Sequence, residues 1–331
     1  MSRRALEHLG RVIGGTDASG TAYPFAAFLM IDEGDATAFC GGTIIARQWI
    51  LTAGHCVVDT NSGHALHTAN NKTISGKHLT RSYKHAKPGN IVVGVGSVSS
   101  VGTRPLKVSK VYVHPQLNLD YFDNDVALLK LKKKLKFTRN VQPIRIDSDT
   151  IEDGLTVTGI GWGKTSLDSQ GTADVLQQVD LTIGNEELCH RIRPEFTSND
   201  GNYICVTTPD GRDTCSGDSG GPLLRRCGGQ GNAGGGIAGS GEWIQLGITS
   251  YGDSLSRSAG AVCAGKDSAG FYTHAAKYID YISKTTGISR EGLSGTCSGS
   301  RVDFKANSAP PSTAPLAMIA AIGLFSALHL K

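Results

Sequence analysis

Short runs rich in Val, Ile, Leu and Thr, each cut off by Gly, Asn or Asp, recur along the chain: IVVGV at 91–95, KVSKVYV at 107–113 and LTVTGI at 155–160. Runs of this length between turn formers are too short for helices and suit antiparallel strands. The 43 glycines against 6% aromatic residues agree, because many tight turns need residues without a Cβ. With 331 residues and 39% hydrophobic content, the chain can bury a core in one large all-β domain or two small ones. No period of 20–50 residues is evident, which argues against a repeat array.

The eight cysteines include no C-x-x-C pair, so disulfides in an oxidising compartment are expected, not zinc or redox chemistry. A net charge of +4 over this length says little about partners. The one dense basic stretch, KLKKKLK at 130–136, alternates with Leu and reads as a strand with a solvated face. Nucleic-acid binding is not expected, since that needs a wider basic surface with stacking aromatics. His64, His67, His78 and His85 fall in one loop-like region, with neither a helical period nor a Cys/Asp cluster beside them. A solvated loop is the reading there, and no metal or other cofactor is expected. Asn71-Lys72-Thr73 in the same region is an N-glycosylation acceptor sequence.

The chemistry is concentrated in GDSGGP at 217–222. A serine hydroxyl is a weak nucleophile at its ordinary pKa, so Ser219 needs a neighbouring base and donors for an oxyanion. Flanking glycines let the backbone turn sharply and aim N–H groups into a cavity. Alone, the hexapeptide also reads as an exposed turn. Upstream, however, Thr52-Ala53-Gly54-His55-Cys56 follows the apolar Trp49-Ile50-Leu51, and Asp123-Asn124-Asp125 precedes Val126-Ala127-Leu128-Leu129. Histidine, acid and serine thus occur in one of the three known chain orders of this triad.

In these motifs the chain resembles the trypsin-like (chymotrypsin-fold) serine peptidases, over about residues 12–287. The resemblance implies two packed six-stranded antiparallel β-barrels, about 12–131 and 132–272. A C-terminal helix would follow, with Tyr278, Ile279, Tyr281 and Ile282 at helical spacing, packed on the second barrel. It implies His55 as general base, Asp125 as its orienting partner, Ser219 as nucleophile, and the Gly217 and Ser219 N–H groups as oxyanion hole. Asp213 would be the floor of a pocket for Arg or Lys, with Gly252 and Gly270 as small walls and residues 250–252, from Ser250, offering backbone to an extended substrate. The implied disulfides are Cys40 to Cys56, Cys189 to Cys205 and Cys215 to Cys263. Cys227 and Cys297 match no usual pair, and their pairing with each other is the remaining expectation.

Arg11-Val12-Ile13-Gly14-Gly15 matches the family's activation sequence, so cleavage after Arg11 would free a Val12 ammonium to pair with the buried Asp218. Residues 1–11 would then be a short pro-segment. They hold no apolar stretch of the kind a secretion leader needs, so the given start is read as internal to a longer chain or as replacing a leader. Loops at 57–89, 228–241 and 253–262 exceed those of compact relatives, which leaves subsites beyond the first unread. A Gly/Ser/Pro-rich linker is expected over 288–315. The apolar run at 316–330 is too short for a spanning helix and fits a removable signal for a glycolipid (GPI) anchor, with a short membrane helix or a packed tail as alternatives. The expected activity is extracellular or surface-tethered hydrolysis of peptide bonds after Arg or Lys, on protein or peptide substrates and subject to protein protease inhibitors. The competing reading is a catalytically inactive homologue that binds proteins.

Overall fold

The computed structural model describes residues 12–58, 83–166, 169, 171–208, 210–227, 242–255, 263–265 and 267–297. Arg11, the sequon at Asn71, His64, His67, His78 and everything beyond 297 lie outside them.

A two-residue strand, β1 (Thr16–Asp17), precedes six strands that close into a first barrel. These are β2 (Ala26–Asp32), β3 (Thr37–Ala46), β4 (Trp49–Thr52), β5 (Ile91–Val95), β6 (Arg104–Val113) and β7 (Ala127–Leu131). They pair antiparallel in the cyclic order β2-β3-β4-β7-β6-β5. Full closure removes free sheet edges, and Leu29, Ile44, Ile50, Val93 and Leu129, all at 0% exposure, fill the inside.

The chain continues through β8 (Ile146–Asp147), β9 (Thr156–Gly161), β10 (Gln177–Ile183), α1 (Glu186–Ile192), β11 (Tyr203–Thr207), β12 (Pro222–Arg226), β13 (Trp243–Ser254) and β14 (Ser268–His274). Strands β12-β9-β10-β11-β14-β13 form the second barrel, closed by the β12 to β13 pairing. In β10, Val179, Leu181 and Ile183 are buried while Asp180 and Thr182 are exposed, the two-residue period of a strand with one face on a core. The expected pair of six-stranded barrels is therefore present.

Four expectations need correction. Residues 16–17, assigned to the first barrel, pair with β10 of the second, and Val12 is buried in the second core. The KLKKKLK stretch is a strand only to Leu131, because residues 132–134 bend away and Leu135 N–H donates to the Arg47 carbonyl at 2.6 Å. The terminal helix, α2 (Ile279–Thr286), ends at Gly287 with φ +76 as its C-cap, but its buried Ile279 and Ile282 join the first-barrel core. His114 of the first barrel draws it there by edge contacts with Tyr278 and Tyr281.

The fourth concerns the region read as linker, of which residues 290–295 are ordered structure. Ser289 caps α3 (Arg290–Leu293), and β15 (Ser294–Gly295) adds parallel to β8. Leu293, 2% exposed, anchors this strap in the first-barrel core, a burial worth about 1.5–3 kcal/mol. Cys297 then bonds to Cys227 at the end of β12. All four expected disulfides are formed.

Candidate active site

Strand β4 is buried along its whole length and delivers His55 into a single 3₁₀ turn at its end. Disulfide Cys40–Cys56 staples that turn to β3. The His55 N–H donates to Asp125 Oδ1 at 2.8 Å, and Nδ1 lies 2.7 Å from Oδ2. Asp125 is fully buried, whereas the His55 side chain is 21% exposed, so the pair has one dry member and one facing the cleft. Burial alone would lower the imidazole pKa, but the Asp125 charge and hydrogen bond outweigh it and hold His55 above its ordinary 6.5. Burial would likewise raise Asp125. The His55 charge and the hydrogen bonds from His55 and Ser250 instead keep its carboxyl below 3.8.

Ser250 was given only a backbone role by the sequence. Its side chain, 4% exposed, donates to Asp125 Oδ2 at 2.5 Å, and the Thr273 hydroxyl donates to the Asp125 carbonyl at 3.0 Å. Both come from the second barrel, so Asp125 is held from across the interface. Its loop is strained, with Phe122 and Asn124 both at φ 54. Arg193, 6% exposed and at the end of α1, reaches over to this loop. Its Nη2 donates to the Tyr121 carbonyl at 2.6 Å and lies 3.9 Å from Asp123 Oδ1, and its guanidinium stacks on Tyr203 and Tyr251. Tyr203 in turn donates to Asp123, and Phe122 packs between Tyr251 and the His55 ring. No sequence signal marked Arg193, which reads as one of several surface cations in CHRIRP.

The GDSGGP turn bridges the barrels. Gly41 N–H of β3 donates to the Ser219 carbonyl at 2.7 Å, and Gly220 N–H donates to Thr249 of β13 at 2.8 Å. Cys56 Sγ touches both sides, 3.8 Å from His55 Nε2 and 3.5 Å from the Ser219 carbonyl oxygen. Gly217 has φ +99 and its would-be Cβ falls 2.9 Å from Gly163 Cα, so only glycine fits. Among the described residues, neither the Gly217 nor the Ser219 N–H has a protein acceptor. Both of these backbone donors are thus unpaired within the described protein.

Asp213 is 2% exposed and sits beside the Cys215–Cys263 disulfide. Ala264, in the left-handed region at φ 59, donates its N–H to Oδ2 at 3.0 Å, while Oδ1 is buried without a hydrogen-bond partner. Gly270 faces that orphan oxygen, since a Cβ there would lie 3.2 Å from it, and Gly252 is the strand partner of Gly270. Burial pushes the Asp213 carboxyl up to about 7, against backbone donors that pull it down. Asp218 is fully buried and accepts from Gly163 N–H at 2.7 Å and Cys215 N–H at 2.9 Å. No cationic side chain among the described residues pairs with it, and burial raises it to about 6. The grouping of Cys40, His55 and Cys56 is no ligand set for a metal, because both sulfurs are committed to one disulfide.

The chain is similar to known proteins along most of its length. The Trypsin family model matches residues 12–282. Brachyurin of Leptuca pugilator is 29% identical over 277 residues, covering 84% of this chain and 99% of that protein. Mannan-binding lectin serine protease 1 of Rattus norvegicus is 26% identical over 292 residues, covering 85% of this chain. The match spans only 36% of that longer relative. Among solved structures, neuropsin, a serine protease of mouse brain, superposes with a TM-score of 0.59 at 22% identity, over 82% of this chain and 98% of the other, a likeness of fold. Two closed barrels, a buried acid–histidine pair beside a glycine-framed serine, and a family match over residues 12–282 lead to one assignment: the chain belongs to the trypsin family of serine endopeptidases.

Proposed function

We propose that this protein is a secreted or surface-tethered endopeptidase that cuts after Arg or Lys and is switched on by cleavage after Arg11. The observation that carries the specificity is the orphan Asp213 Oδ1, a buried carboxylate oxygen facing Gly270 with nothing to bond it. Burying a carboxylate without full compensation is costly, and a long cationic side chain passing between Gly252 and Gly270 supplies the missing donor.

In the proposed reaction Ser219 Oγ attacks the scissile carbonyl carbon while His55 Nε2 takes its proton. Asp125 holds the imidazole by Nδ1 and stabilises the imidazolium. The carbonyl oxygen becomes an oxyanion bonded by the Gly217 and Ser219 N–H groups. The C–N bond then breaks as His55 returns the proton to the leaving amine, and water repeats the sequence on the acyl-enzyme. Before activation, Asp218 lacks a cation, and a new Val12 ammonium beside it would order the adjoining Gly217 N–H. The four disulfides suit an extracellular, oxidising setting, and the apolar tail at 316–331 is proposed as an anchor signal.

The test is to cleave the full chain after Arg11 and measure hydrolysis of an arginine amide together with organophosphonate labelling of Ser219. Turnover and labelling are expected together. A folded, processed sample with neither is a binding module, and the catalytic reading fails.

A further inference from the structure

The charge of this chain is unevenly distributed. Residues 12–146 hold sixteen Lys and Arg against eight Asp and Glu, while residues 147–331 hold fourteen against twenty. Between 126 and 146 there is no acid and there are seven Lys or Arg.

The fold gathers these cations on one part of the first barrel. Lys110 of β6 is the direct cross-strand partner of Lys130 of β7, a like-charge pairing that weakens a ladder. Lys132 N–H donates to the Lys107 carbonyl at 2.8 Å, so the next two lysines are also neighbours on adjoining segments. Lys133 and Lys134 follow in the bend, and five of the six are exposed, while Lys130 is half-buried with its ammonium over the Trp49 ring at 5.4 Å. Among the described residues none of the six is in an ion pair.

We propose that this surface is an exosite for a linear sulfated polysaccharide. Uncompensated lysines packed across a ladder give up stability in the free protein, and an external polyanion recovers it while releasing its own counterions. A protein partner would want an apolar centre with aromatic or Arg anchors. Of the large hydrophobics exposed among the described residues, only Met30 borders the patch, two strands from Lys107. Lysines are hydrated point charges without the fork that selects planar carboxylates, which suits dense sulfate on a hydrophilic chain. The disulfides put the domain in the compartment where such glycans occur, not with nucleic acid. Lys130 lies five residues beyond Asp125 along β7, about 17 Å at the rise of a strand, so an occupied patch leaves the cleft open.

This inference does not depend on the proposed cleavage specificity. Its test uses the full chain on immobilised heparin, with the thermal unfolding midpoint as the check that the fold is intact. The wild type is expected to stay bound at about 0.15 M salt. The variant Lys132→Ser/Lys133→Ser/Lys134→Ser should elute near that salt, with the slope of log affinity against log salt reduced by about 2–3 and with an unchanged unfolding midpoint. Lys277→Ser/Lys284→Ser, the first in the 3₁₀ turn before α2 and the second on α2, should elute like the wild type. Passage of the wild type at that salt, or equal retention of the triple variant, overturns the proposal. Tighter binding to poly-L-glutamate than to heparin would assign the patch to an acidic protein instead. Salt-sensitive self-association that the triple variant loses would assign it to the acidic half of a second copy. Either result also overturns it.

Discussion

Arg193, carried by the second barrel, donates to the carbonyl of Tyr121, four residues before Asp125 in the first. The strained Phe122 and Asn124 lie between those two points, so the guanidinium holds a loop that would relax if released. Arg193→Leu is expected to lower kcat for a small arginine amide on the order of 10²-fold, with a smaller change in KM, because the acid and imidazole lose their alignment. Arg193→Lys keeps the charge without the fork and should recover only part of the loss. Wild-type kcat in the Leu variant would show that the loop holds itself.

Protonating His55 removes the base, so kcat/KM should fall towards acid with a midpoint above 6.5. In Asp125→Asn the charge and its hydrogen bond no longer oppose burial, and the midpoint should drop below 6.5 while kcat falls on the order of 10⁴-fold. A pH–rate profile of both proteins checks this. An unmoved acid limb in the variant would mean that Asp125 does not hold the imidazole up.

The buried Asp213 carboxyl should be partly protonated near neutrality, since it is raised to about 7. A bound cation favours the carboxylate, so binding of an aryl amidine at pH 6 should release protons and tighten as pH rises towards 7. Calorimetry in buffers of different ionisation enthalpy reads this directly. Asp213→Ser should abolish the proton release and cut turnover after Arg on the order of 10⁴-fold. An undiminished preference for Arg would remove Asp213 from the pocket.

Asp218 makes activation a question of stability as well as rate. Its folded pKa of about 6 lies above the ordinary 3.8, so the precursor binds this proton more tightly when folded. The resulting stabilisation is full below about 4 and is lost as pH rises through 6. A Val12 ammonium beside the carboxylate would cancel that loss. With Ser219→Ala to prevent self-digestion, the processed form should melt above the precursor by a margin that grows from pH 4 to pH 8. A margin independent of pH would mean that the two groups do not meet.

What was legible in the sequence was what is local. GDSGGP, the AGHC turn and the DND approach to a strand each carry their geometry within a few residues, and the short apolar runs marked antiparallel strands, whereas their closure into two barrels was implied by the family resemblance. The hydroxyl of Ser250 was not legible, because its partner Asp125 is 125 residues away and only barrel packing brings them together. Arg193 was hidden for the same reason, since a cation in a polar stretch looks solvated until three aromatic rings close around it. Composition misled at residues 290–295, where Gly and Ser looked like linker while one leucine, Leu293, decided that the segment folds.

That strap has a mechanical consequence. Cys297 is bonded to Cys227 at the end of β12, and its N–H donates to Asp149, which with Asp147 grips Arg225 of the same strand. Tension applied to whatever follows residue 297 therefore enters the second barrel through a covalent link to β12. It bypasses α2, a helix of eight residues that would peel under such a pull. A molecule held by its C-terminal end, and tugged by flow or by a bound substrate, would thus keep the alignment of its two barrels until the disulfide is reduced.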